Sequence, residues 1–193
     1  MTTYVLGGGP SLSDFDVHAL YGQRIIACNN AGFLLPHSWA LSCDERWVER
    51  YAAECEKHPC VWIYQKMSTV FVPPPNWQTL ERNDSWNTSL DDGLIAASNV
   101  GVPALHLADL ADPGGDIVMV GFDMTGKDGK TAHFHNDYPD DFIQTDQRYD
   151  SFVECFRDKV PKEVKGRVTV IGPSRLDEAG FKVVEYAHLP GGR

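Results

Sequence analysis

Residues 3–12 read Thr3-Tyr4-Val5-Leu6-Gly7-Gly8-Gly9-Pro10-Ser11-Leu12, a β-prone run that stops on three consecutive glycines and a proline. Leu12, Phe15 and Leu20 then begin one helical face, so the stretch predicts a strand, a glycine turn and a helix. Similar units follow. Arg24 to Cys28 (RIIAC) is a compact apolar run ended by Asn29-Asn30, and Trp39 to Leu41 is ended by Ser42-Cys43-Asp44. Asp44 suits the N-cap of a helix reaching about Lys57. Val61 to Tyr64 reads as a strand and Thr69 to Val72 as a further one, before Pro73-Pro74-Pro75 stops regular structure. Ser89 to Leu110 is expected to be helical, broken near Asn99 to Pro103, and Asp146 to Lys159 to form another helix. Ile117 to Val120 (IVMV) has the unbroken apolarity of a strand buried on both faces, and Val168 to Ile171 is the last clear strand. Strands alternating with helices predict an α/β fold, a Rossmann-like three-layer sandwich around a mostly parallel central sheet. One nucleotide-binding domain over 1–193 is expected, with an irregular excursion at about 73–90 and a histidine-bearing loop at about 125–142.

At 193 residues and 42% hydrophobic content the chain is large enough to bury a substantial core. Its 17 Lys and Arg against 27 Asp and Glu give a net charge of −10, which removes any general attraction to nucleic-acid backbones. Five cysteines, an odd number without a Cys-x-x-Cys pair, suggest neither a disulfide framework nor a zinc knuckle, and reduced thiols are expected. The start, Met1-Thr2-Thr3-Tyr4, has no basic or long apolar leader, and no stretch approaches the roughly 18 apolar residues of a membrane span. A cytoplasmic protein without a membrane partner is the expectation.

Open parallel α/β sheets bind ligands beyond the carboxyl ends of their strands, so polar residues at those ends are the candidates. Gly7, Gly8 and Gly9 would let the backbone approach a phosphate, with Pro10 and Ser11 opening the helix whose N-terminus favours an anion. The G-x-G-x-x-G spacing is broken by Leu12, and no Gly-Lys-Ser/Thr follows. Asn29 and Asn30 read either as donors to phosphate or ribose or as an Asx turn. Ser98, Asn99 and Gly101 read either as a second anion-ready turn or as plain helix capping. His133 or His135 could act as a general base with Asp123 or Asp137 holding its tautomer, the pair could bind a metal, or the loop could simply be solvated. Trp77 and Trp86 are either stacking surfaces for a nucleobase or core anchors.

Together these stretches resemble the bacterial sialyltransferases and the related domains, common in phage genomes, that include the 6-hydroxymethylpterin pyrophosphokinases. The matching residues are Gly7 to Leu12, Cys28-Asn29, Ser98 to Gly101 with Ala104 to Leu110, Ile117 to Met124 (IVMVGFDM) and Pro173 to Leu176. The resemblance implies that Ser11, Asn29, Ser98, Asn99 and Ser174 contact a nucleotide and that His133 or His135 is the base. Gly8 stands where the sialyltransferases have Asn, Val100 separates the Ser-Gly pair, and their tyrosines after the Gly-Ile-Asp motif have no clear equivalents.

The expected function is therefore a nucleotide-sugar-dependent, sialyltransferase-like glycosyltransferase in which a histidine activates an acceptor hydroxyl. No tightly bound cofactor is expected; the small-molecule nucleotide donor is a substrate, and the acceptor is a glycan, a small molecule or a modified nucleobase. A second reading is phosphoryl or pyrophosphoryl transfer from a nucleoside triphosphate, with magnesium on Asp44 or Asp123. A third is a non-catalytic nucleotide-binding phage protein. A homo-oligomer is compatible with each.

Overall fold

The structure, a computed structural model, describes residues 1–36, 38–96 and 98–186. Residues 37, 97 and 187–193 of the expected domain lie outside the described residues. Nine parallel strands form the central sheet: β1 (Thr3–Leu6), β2 (Arg24–Cys28), β3 (Trp39–Ser42), β4 (Val61–Gln65), β5 (Gln78–Asn83), β6 (Leu94–Ala96), β7 (Ile117–Val120), β10 (Val168–Ile171) and β11 (Lys182–Val184). A two-stranded hairpin, β8 (Gly126–Lys127) and β9 (Lys130–Thr131), stands apart from it. Among the described residues there are four α-helices: α1 (Glu45–Cys55), α2 (Gly101–Ala111), α3 (Arg148–Lys159) and the single turn α4 (Lys162–Lys165). The α/β sandwich with a parallel sheet is as the sequence predicts.

The strand order is β11-β10-β7-β1-β2-β3-β4-β5-β6. The chain moves outward from β1 to β6, returns to place β7 on the other side of β1, and moves outward again. Between β1 and β7 the direction of winding reverses, and there the connections leave the sheet on opposite faces and open a crevice at the carboxyl ends.

Alternation along the strands divides the core in two. Val5, Ile26, Leu41 and Ile63 face α2 and α3, whereas Leu6, Ala27, Ala40 and Trp62 face α1 and the 3-10 turns. Helix α2, which carries the chain from β6 back toward β7, is buried at every residue from Gly101 to Ala108. A helix apolar all round fits a place between the sheet and α3, not one with a solvent face. His106 is its one buried polar side chain from that run. Its Nδ1 accepts the Ala96 N–H (2.8 Å) and its Nε2 meets the Trp86 carbonyl (2.9 Å).

Four sequence expectations are corrected. No α-helix follows the glycine turn: 3-10 turns at Pro10–Asp14 and Val17–Leu20 are separated by extended Phe15, and the Asp16 carboxylate takes the His18 N–H. Such local side-chain bonds compete with the helical ladder. Thr69 to Val72 is not a strand; Val70 and Val72 are 87% and 84% exposed. The place beside β4 belongs to β5, inside the excursion expected to be irregular, where Leu80 is the only buried side chain in a polar run. Ser89 to Ala96 is a 3-10 turn and a strand, with helix beginning only at Gly101.

Candidate functional site

The glycine turn lies at the reversal point, but its backbone is occupied. Gly7 N–H donates to the Val120 carbonyl (2.8 Å) and Gly9 N–H to that of Gly121 (2.7 Å), so the tails of β1 and β7 run against each other. A Cβ on Gly7 would lie 2.9 Å from the Phe122 ring and closer still to the Gly121 oxygen. On Gly9 it would lie 2.7 Å from that oxygen and closer to the Asp123 carboxylate. These two glycines are therefore required for contact between two chain segments. Gly8 differs: a Cβ there would meet only His133 Nδ1, at 3.6 Å.

Ser11 donates both its N–H (3.0 Å) and its hydroxyl (2.8 Å) to Asp123, which is 4% exposed. Burial pushes that carboxyl above the ordinary carboxylate range, against the pull of the Ser11 bonds. The Ser174 hydroxyl donates to the Phe122 carbonyl and accepts the Leu176 N–H (3.2 Å). Pro10, Ser11 and Ser174 thus belong to a seam beneath the crevice, outside its lining, and not to a phosphate cradle. Asp123 likewise spends both carboxylate oxygens on Ser11, so the expected role of holding an imidazole falls elsewhere.

Above the seam is a cavity of about 960 Å³, bounded by the tips of β1, β2, β3 and β7, the first turns of α1, α2 and α3, and the loop from Thr131 to Gln144. Gly7, Gly8, Gly9 and Asp123 reach its floor. Asn29, Asn30, Asp44, Ser98, Asn99 and Gly101 also line it, in two structural classes. Asp44 and Asn99 accept from helix-start N–H groups. Asp44 Oδ1 accepts from Arg46 N (3.0 Å) and Trp47 N (3.4 Å), and Asn99 Oδ1 accepts from Gly101 N (3.1 Å) while its amide meets Ser98 Oγ (3.5 Å). Asn30 is 5% exposed and accepts from the Trp47 indole (2.5 Å). Gly101 has no room for a side chain between Phe122 and Phe156.

Asn29 is the exception. Its φ of 50° is left-handed, a conformation that costs free energy in most residues, and its buried Oδ1 has no hydrogen-bond partner. Of the two carboxylates expected to hold magnesium, Asp44 caps α1 and lies 3.5 Å from Arg46, and Asp123 accepts both donors of Ser11.

The histidine loop closes over this floor. Phe134 N–H donates to the Gly8 carbonyl (3.0 Å), Tyr149 hydroxyl brackets Ala132 through both its N–H (3.2 Å) and carbonyl (3.0 Å), and Tyr51 hydroxyl reaches the Asp137 carbonyl (3.3 Å). His133 and His135 stack 5.9 Å apart, and Tyr138 stands edge-on to both rings at 4.7 and 4.4 Å. His135 Nδ1 accepts the Asp137 N–H (3.2 Å), which assigns the proton of the neutral ring to Nε2, and that atom is buried without a partner. The imidazole is thus held by the backbone of Asp137. Burial, aided by the neighbouring His135, pushes His133 down to about 4, with Gly8 backbone pulling the other way. Burial lowers His135 too.

Charge sits toward the mouth. Arg46 is 53% exposed, with its guanidinium 5.1 Å from the Phe142 ring, and Arg148 lies 5.5 Å over Phe152. The sequence reading missed these two cations along with Trp47 and Tyr138. Tyr138 had a signal, its place beside two histidines in one polar loop; the others lie on helices whose distance from the crevice only the strand order sets. Trp77 and Trp86 are core anchors. Trp77 stacks on Trp62 (5.4 Å), and Trp86 packs on His106 (4.5 Å) and donates to Asp109 (2.8 Å). Among the described residues no helix is long and apolar enough to cross a membrane. Comparison with protein-family models, curated proteins and solved structures returns no match for this chain.

Proposed function

We propose that the protein is a transferase of the glycosyltransferase type, acting in the cytoplasm on a nucleotide-linked sugar donor. The observation that carries this reading is the His133–His135 pair held over an open cavity at the point where the sheet reverses its winding. His133 Nδ1 is turned toward Gly8, which leaves Nε2 to face substrate. In the reaction, His133 Nε2 takes the proton of an acceptor hydroxyl as its oxygen bonds to the anomeric carbon of the donor. The bond from that carbon to the phosphate oxygen breaks, and its electron pair leaves on the nucleotide. Arg46 and Arg148 at the mouth supply positive charge for the departing phosphate.

A histidine pushed down to about 4 is unprotonated at neutral pH, the form a base requires. It is also weakly basic until an anionic donor nearby raises its proton affinity. Chemistry is thereby coupled to occupancy. The five free thiols accord with a reducing compartment.

Titration calorimetry against nucleoside mono- and diphosphates and their sugar conjugates tests this reading. Binding of at least one conjugate, with transfer or slow donor hydrolysis reduced about 10²–10⁴-fold in His133→Ala, is expected. A folded protein that binds none of them overturns it, and binding with full turnover in His133→Ala removes the assigned base.

A further inference from the structure

Two polar side-chain atoms on the cavity wall are buried without any partner: Asn29 Oδ1, an acceptor, and His135 Nε2, which carries the ring proton and is a donor. Of the seven such atoms among the described residues these are the two whose residues line the cavity, and each costs stability while unpaired. Tyr138 joins them. Its ring stands edge-on to His135 at 4.4 Å. The His135 side chain is 9% exposed, and Asn29 holds a left-handed backbone that glycine would adopt without strain.

The cations of the cavity lining, Arg46, Arg82, Arg148 and Lys159, lie on α1, β5 and α3, and among the described residues none is hydrogen-bonded to Asn29 or His135. Arg46 and Arg148 stand at the exposed mouth, and the N–H groups of Gly7 and Gly9 are committed to the β7 tail. A phosphate seated between Asn29 and His135 would meet a carbonyl oxygen and lose its hydration for one donor. A neutral hydroxyl suits both atoms, because one O–H donates and the same oxygen accepts.

We propose that Asn29 and His135 form a sugar-hydroxyl subsite at the inner end of the cavity, with the phosphates of the donor directed outward to Arg46 and Arg148. This inference rests on the transferase reading and adds the orientation of the substrate. Both atoms are screened from water, so the sugar reaches them as the 133–138 loop shifts from its anchors on Gly8 and Tyr51. The sugar belongs either to the donor or to the acceptor.

Calorimetry on the full chain with UDP-glucose, GDP-mannose and CMP-sialic acid, each beside its bare nucleotide, and with methyl α-glucoside separates these sources. Expected is at least one conjugate bound about tenfold tighter than its bare nucleotide, a preference erased in Asn29→Gly and in His135→Ala while the bare nucleotide keeps its affinity within about twofold. Asn29→Gly should melt no lower than the parent chain, which separates lost contact from lost fold. If methyl α-glucoside alone carries the Asn29 dependence, the subsite stands and holds the acceptor sugar. Nucleotide binding that ignores both substitutions, or bare nucleotides that weaken as much as their conjugates, overturns the subsite and leaves the transferase reading in place. No binding of any nucleotide overturns both.

Discussion

The seam between β1 and β7 and the loop wall above it both consist of polar and glycine residues at strand ends, yet their hydrogen bonding is opposite. In the seam, Gly7 and Gly9 N–H, both donors of Ser11, both oxygens of Asp123 and the Ser174 hydroxyl all have partners within the fold. In the wall, Asn29 Oδ1 and His135 Nε2 have none, Asn29 has a left-handed backbone, and His133 is held uncharged by burial. A satisfied polar network specifies a structure; a strained and unsatisfied one persists because something other than folding retains it. On the transferase reading, the lower layer carries stability and the upper one chemistry.

Substitution in the seam should produce the largest loss of stability. Gly9→Ala forces a methyl into the Gly121 carbonyl and the Asp123 carboxylate, neither of which is a flexible chain end, and roughly 3 kcal/mol or more should disappear. Urea denaturation measures it, and a loss under about 1 kcal/mol would remove the seam's structural role.

Acid should weaken the wall next. His133 titrates at about 4 when folded against 6.5 for the ordinary group, so between those values the unfolded chain binds the proton and the native one does not. The stability from its neutral form is complete above pH 6.5 and lost as pH falls toward 4, roughly 3 kcal/mol for the whole shift. His135 and His106, both lowered by burial, act in the same direction, while Asp123, raised by burial, opposes them. Melting temperatures across this range should fall with pH, and His133→Gln should flatten the slope. An unchanged slope would show that His133 is not held neutral.

Asp123→Ala leaves the Ser11 N–H and hydroxyl buried without an acceptor, a cost of about 2 kcal/mol. The smallest effect sharpens the contrast most. Gly8 sits between two indispensable glycines but faces the cavity, so Gly8→Ala should leave stability within about 0.5 kcal/mol while disturbing the neighbouring His133. Equal damage from Gly8→Ala and Gly9→Ala would erase the boundary between the layers.

The same contrast explains what the sequence could reveal. RIIAC and IVMV announced buried parallel strands, because only burial on both faces tolerates such runs. QTLERN concealed β5, since a strand with one buried side chain has no alternation to detect. Polar residues at strand ends, Asn29 among them, located the crevice, and the polar loop carrying His133 and His135 lies over it. The glycines were legible as a turn but not in purpose: a glycine that admits a phosphate and one that admits another backbone look identical until β7 is known to lie beside β1. The partners of Ser11 and Ser174 were hidden for the same reason, being 112 and 52 residues away in the chain.

The central claim is that ligand binds the loop wall and not the glycine seam. A crystal structure of the full chain with a nucleotide sugar tests it most directly. The account predicts sugar against Asn29 and His135, an acceptor-facing His133 and phosphates near Arg46 or Arg148, with the Gly7 and Gly9 bonds to the β7 tail intact. Phosphates seated on the N–H groups of Gly7 and Gly9, with those bonds broken, or a ligand lodged outside the cavity, would contradict it.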